Sequence, residues 1–153
     1  MLYPLLLTGF IALIFLAKQD FANRQYNVVL IPIILVCLLG YLSISENLVI
    51  EGIVFNGIFV LVNLIALQIY YHFRIKRNEW FFDRGMGWGD VLLFLPAILL
   101  FEPFYFVVFT ILSAVTGLVF AFIKKQDTVS RGIPLAGIMG IYMNLWLIYL
   151  VWN

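Results

Sequence analysis

The sequence predicts an all-α polytopic membrane protein with six transmembrane helices and both termini on the non-cytoplasmic side. Three observations carry this expectation. Of 153 residues, 65% are apolar and only 11% charged, and the mean hydropathy is +1.08; a soluble domain runs near half apolar and a quarter charged. The apolar residues form continuous runs, without the alternation that transmembrane strands require. The nine Lys and Arg residues fall in alternate connections between those runs.

A helix crossing the hydrocarbon core needs roughly 17–25 mostly apolar residues at about 1.5 Å rise each. The first candidate is Leu2–Ala17. It has no Lys or Arg before it and no small-residue cleavage site after it, so it is expected to remain in the mature protein as a span. Asn27–Ser43 and Leu48–Phe73 follow, then Gly89–Phe101, the shortest, and finally Pro103–Ile123 and Ile133–Trp152. The connections are short and polar and no internal repeat is evident, so residues 1–153 read as one membrane domain.

Charge sets the expected orientation. Lys18 and Arg24 lie between the first two runs. Arg74, Lys76, Arg77 and Arg84 lie between the third and fourth, and Lys124, Lys125 and Arg131 between the fifth and sixth. The opposite connections and their flanks carry Glu46, Glu51 and Glu102. Cytoplasmic loops collect cations, which places the three basic connections in the cytoplasm. The formal charge of +1 offers no field for nucleic acid. With one cysteine, Cys37, and one histidine, His72, the chain lacks the set from which zinc sites are built. No metal or other cofactor is expected.

Polar and special residues inside the runs call for a reason, because polar groups are costly in hydrocarbon. Asn56 and Asn63, seven apart on one face with Gly52 and Gln68 near the stripe, suit interhelical hydrogen bonding or a substrate path. Ser113 with Gly117, and Ala136 with Gly140, have the spacing of small residues that lets helices approach closely. Pro32 and Pro96 are expected to kink their helices. Cys37 reads as a small buried hydrophobe and His72 as an interface residue.

Two acids stand out. Asp20 closely follows the first run and Asp90 opens the fourth, and the intervening pair of spans returns both to one membrane face. Two carboxylates at equal depth form a candidate catalytic pair that shares a proton, one acting as base toward water and the other as acid toward a carbonyl oxygen. Two solvated aspartates at helix ends are the plainer alternative. The stretch Gly85-Met86-Gly87-Trp88-Gly89-Asp90 places three alternating glycines before the second acid, where glycine lets a substrate strand approach the backbone. An aspartate there can also cap its helix.

Gly87-Trp88-Gly89-Asp90 resembles the GxGD motif of membrane aspartyl proteases, and the longer glycine-rich stretch is similar to that of type IV prepilin peptidases and preflagellin peptidases. Asp20-Phe21-Ala22-Asn23-Arg24 matches the beginning of that family's first catalytic segment. Gly132-Ile133-Pro134-Leu135-Ala136-Gly137 resembles its Ile-Pro-rich start of a late span. Two positions depart from the pattern: Asn27 stands where the family usually has Pro, and Leu92 where it usually has Lys. The amino-terminal methylation segment of larger bacterial members has no counterpart here, so no methyltransferase activity is expected.

The resemblance implies an integral membrane aspartyl endopeptidase of the cytoplasmic (inner) membrane, its active site facing the cytoplasm, that removes the leader of pilin-like precursors. The implied partners are membrane lipid and a precursor with a basic leader and a hydrophobic helix. Asp20 and Asp90 would be catalytic, while Gly87 and Gly89 would shape the turn. Arg24 would orient a carboxylate or a lipid headgroup, and Glu79 and Asp83 would attract the basic leader. A non-catalytic scaffold or assembly factor related to such peptidases is the alternative. A small transporter is a weaker one, because no acid is clearly placed at mid-membrane.

Overall fold

The structure, a computed structural model, describes residues 2–23, 27–45, 49–75, 88–123 and 134–152. Within them are six helices and no strand. They are α1 (Leu2–Asn23), α2 (Leu30–Ser45), α3 (Ile50–Ile75), α4 (Trp88–Leu100), α5 (Pro103–Ile123) and α6 (Leu135–Trp152). Long apolar stretches in α1, α3, α5 and α6 suffice to cross a membrane, whereas α2 and α4 are shorter apolar helices. At about 1.5 Å per residue, the 13 residues of α4 span about 20 Å, less than the ~30 Å of a hydrocarbon core.

The expected runs correspond to these helices, with one difference that matters. The first run ends at Ala17, but α1 continues to Asn23. Lys18, Gln19 and Ala22 favour helix, and a helix can extend past its apolar stretch once the backbone is already wound. Asp20 is therefore a helical residue in the closing turns of α1.

The short α4 is wrapped by its neighbours: it packs on α2, α3 and α6, and its Leu93, Pro96 and Ala97 are fully buried. Pro96 has no N–H, so the Leu92 carbonyl has no helical donor four residues on. Pro32 departs from expectation. It is the third residue of α2, within the first turn, where a missing N–H costs no helical bond, so nothing requires a kink there. Asn27 leads into that turn: its Oδ1 accepts from Val29 N at 3.1 Å, and its own N donates to Gln19 Oε1 at 2.9 Å. A proline at this position would lack both interactions.

α1 and α6 lie together at the centre, with α2 on α1 and α5 on α6. Leu13, Leu16, Ile34, Phe106, Met139 and Met143 fill the core. Helices in lipid gain little from apolar burial, and close packing does more to hold them together. α6 lies against α1 at Gly140, where a Cβ would sit at ordinary contact distance, 3.5 Å from the Leu13 carbonyl oxygen and 3.7 Å from Ala17 Cβ. At Gly52 a Cβ would be 3.4 Å from Pro103 Cδ, where α3 meets the start of α5.

The asparagines of α3 separate into two roles. Asn56 is fully buried, and its Nδ2 donates to the carbonyls of Phe101 at 2.7 Å and Ile98 at 3.2 Å, holding the end of α4 to α3. Asn63 donates to Phe59 O of its own helix at 2.8 Å and is exposed. Interhelical bonding therefore accounts for the first and not the second. Asn56→Leu strands two carbonyls and is expected to lower stability by about 1–2 kcal/mol, read from helicity during SDS titration in mixed micelles. Asn63→Leu should leave the same transition nearly unmoved.

Candidate active site

The first turn of α6 sets the geometry. Pro134 O accepts from Ile138 N at 3.1 Å, which makes Pro134 the residue immediately before the helix. Helices leave their first N–H groups without internal partners, and a Ser, Thr, Asp or Asn at that position usually supplies an oxygen. Proline has none to offer. The oxygens come from elsewhere in the chain. Asp90 Oδ1 accepts from Ala136 N at 2.9 Å, and Asp20 Oδ2 accepts from Gly137 N at 2.7 Å.

The aspartates thus arrive from two different helices, 70 residues apart in sequence, onto consecutive amides of a third. α1 supplies Asp20 near its end and α4 supplies Asp90 in its first turn. Both carboxylates sit at the positive end of the α6 dipole, which favours negative charge, while their mutual proximity opposes two full charges. Asp20 is buried at 6% exposure, whereas Asp90 is half-buried. Asp90 is therefore the more accessible of the two.

Gly137 is required by this arrangement. A Cβ there would lie 2.9 Å from Phe21 Cε2 and 3.1 Å from Asp20 Oδ2. The Phe21 ring in turn meets Phe120 of α5 edge-on, with centroids 5.9 Å apart. Asp20 and its neighbour Phe21 close against a helix face that has no side chain.

Of the other residues singled out, Gly89 is half-buried in the first turn of α4. Gly87, Arg24, Glu79 and Asp83 lie outside the described residues, as do Gly132, Ile133 and Asp127. Leu92 is two residues beyond Asp90, about 200° around the helix, and packs partly buried against the core. The sequence did not indicate that Ala136 and Gly137 meet the aspartates. One available signal was the helix opening Pro134-Leu135-Ala136-Gly137, which lacks a capping side chain and so needs an acceptor from elsewhere.

Among the described residues no three His, Cys, Asp or Glu side chains are grouped so as to hold a metal ion. What the arrangement offers is a pair of proton-exchanging carboxyl groups, held by amide donors at one end of a bundle of apolar helices. That is a membrane protein with a candidate acid–base site. The chain belongs to the type IV leader peptidase family, whose model matches residues 7–122, a stretch that includes both Asp20 and Asp90. Comparisons with curated proteins and with solved structures gave no match. Membership supports proteolytic activity of the leader-peptidase type, a function that acts on pilin-like precursors.

Proposed function

We propose that the protein is an integral membrane aspartyl endopeptidase that removes the leader of type IV pilin-like precursors at the cytoplasmic face of the inner membrane. Asp20 and Asp90 are its catalytic pair. One observation carries this reading: the two carboxyls bond to consecutive amides, Ala136 N and Gly137 N, at one end of the bundle. Family membership supports the type of reaction.

In this mechanism the pair works with one proton between its two carboxyls. The ionised carboxylate takes a proton from water as the water oxygen bonds to the scissile carbonyl carbon. The protonated partner gives its proton to the carbonyl oxygen. As the tetrahedral intermediate collapses, a carbonyl re-forms and the C–N bond breaks; the proton taken from water passes to the leaving nitrogen, and a hydroxyl proton of the intermediate returns to the other carboxylate, restoring the singly protonated pair. The amide donors and helix dipole of α6 hold the negative charge in place through the cycle. Gly87 and Gly89 keep side chains away from the approach to Asp90, Gly89 from within the first turn of α4, while Arg24 orients a carboxylate or lipid headgroup, and Glu79 and Asp83 attract the basic leader.

Incubating purified protein with pilin-like precursors from the same genome, and mapping the cut by mass spectrometry, tests the activity directly. Six spans with both termini outside follow from the distribution of the cations. Cysteine labelling after replacement of Cys37 is expected to find the connections after α1 and before α4 accessible from the cytoplasm, and exposure on opposite faces would exclude a shared site.

A non-catalytic scaffold is the second reading, and a specific observation favours it: both aspartates already have an architectural task in completing the start of α6. The two readings part when proton exchange is removed and the hydrogen-bond acceptor is kept.

A further inference from the structure

A cavity of about 210 Å³ lies between α3, α4, α5 and α6, lined by Asn63, Phe94, Thr110, Ser113, Leu135 and Met139 among others. Its position ties it to the aspartates. Phe94 is one turn beyond Asp90 on α4, and Leu135 immediately precedes Ala136, whose amide Asp90 holds. Met139 continues one turn further along α6. The cavity therefore begins within a helical turn of the carboxylates and leads away from them along the bundle.

Two features distinguish it from a packing gap. Ser113 is 3% exposed, and its Oγ has no hydrogen-bond partner, although a hydroxyl buried among apolar groups is costly to leave unsatisfied. The neighbouring Thr110 instead bonds the Phe106 carbonyl of its own helix at 2.9 Å. The cavity also opens to the surface: Asn63 of α3 and Ala114 of α5 line it and are themselves exposed. The mouth thus lies between α3 and α5, two helices whose exposed side chains are mostly apolar.

The size limits the occupant. Small-molecule pockets run about 300–1,000 Å³, so this space suits one large side chain better than a whole ligand. We propose that this cavity receives the first large apolar side chain of the precursor's helix, entering between α3 and α5, with Ser113 Oγ donating to a backbone carbonyl beside it. The inference rests on the peptidase reading and deepens it. A leader joined to an apolar helix must lay that helix along the bundle while its junction lies at Asp20 and Asp90, and the cavity extends from those residues in the required direction. Asn63, at the mouth, offers a polar contact to backbone that has not yet entered lipid.

The test uses the full-length protein in nanodiscs and a synthetic peptide, a Lys-rich leader joined to a Leu/Ala helix, carrying photo-leucine as the first large apolar residue. Irradiation is expected to cross-link α5 within residues 110–114 or α6 at Met139. Cross-links confined to α1 or α2, or none at all, overturn the proposal.

Ala114→Phe fills the mouth from an exposed position. It is expected to lower kcat/KM about tenfold for a peptide with Leu at that residue relative to one with Ala; an unchanged ratio overturns the proposal. A co-purified lipid that stays bound at peptide saturation, seen by native mass spectrometry, assigns the space to lipid and also overturns it. Cross-linking at the cavity by a wild-type protein that cuts no peptide would sink the peptidase reading and leave the cavity assignment standing. Cleavage with cross-links elsewhere would do the reverse.

Discussion

Asp20→Asn and Asp90→Asn are each expected to reduce precursor cleavage by roughly a thousandfold or more while the protein accumulates in the membrane at its normal level. General acid–base groups contribute about 10²–10⁴-fold, and a pair working on one water is strongly non-additive. The geometry makes asparagine an informative replacement. Each aspartate uses one oxygen to accept an α6 amide, and the asparagine side chain keeps a carbonyl oxygen that can do the same. The start of α6 is thereby preserved and proton exchange is lost. The double mutant should be no slower than the slower single mutant. Cleavage retained in either single mutant defeats the two-aspartate mechanism. Loss of cleavage together with loss of the folded protein would instead point to an architectural role. Asp127→Asn should leave most of the activity.

The second large effect is expected from a single methyl group. In Gly137→Ala the new Cβ enters space that Phe21 Cε2 and Asp20 Oδ2 occupy at 2.9 and 3.1 Å. Phe21 is partly exposed and can swing outward, but the carboxylate cannot withdraw without lengthening its 2.7 Å bond to the Gly137 amide. A displacement of the order of 1 Å in a catalytic group can cost about a hundredfold in rate. Cleavage should therefore fall between about tenfold and a hundredfold. Stability should change by less than ~2 kcal/mol, because overpacking costs about 1–3 kcal/mol while alanine is the better helix former by ~1. Gly140→Ala is the control, one turn further along α6. Its Cβ would meet Leu13 O, Leu16 Cδ2 and Ala17 Cβ at 3.5–3.7 Å, which is ordinary contact, so both activity and stability should be nearly retained. Equal losses in the two variants would remove the special role of Gly137.

The expected positions of the helices and the identity of the two acids came from local signals that a single chain carries. Continuous apolar runs specify helices in lipid because no other open structure satisfies the backbone there. Alternating clusters of cations gave the expected orientation of the helix ends. The acid after a glycine-rich stretch and the acid behind the first apolar run were visible as residues that hydrocarbon would not tolerate and chemistry can use. Tertiary structure alone decided what they touch. Asp20, Asp90 and Gly137 lie on three helices, and their meeting depends on how α1, α4 and α6 pack, for which no periodicity in the sequence gives a rule. The same holds for Asn56 and Asn63. They share a face and a spacing, yet only Asn56 lies where the end of α4 presents two carbonyls, so one ties helices together and the other is left at the mouth of a cavity. Local composition determines which segments become helices and which polar groups need partners, whereas the crossing of the helices determines which partners they find.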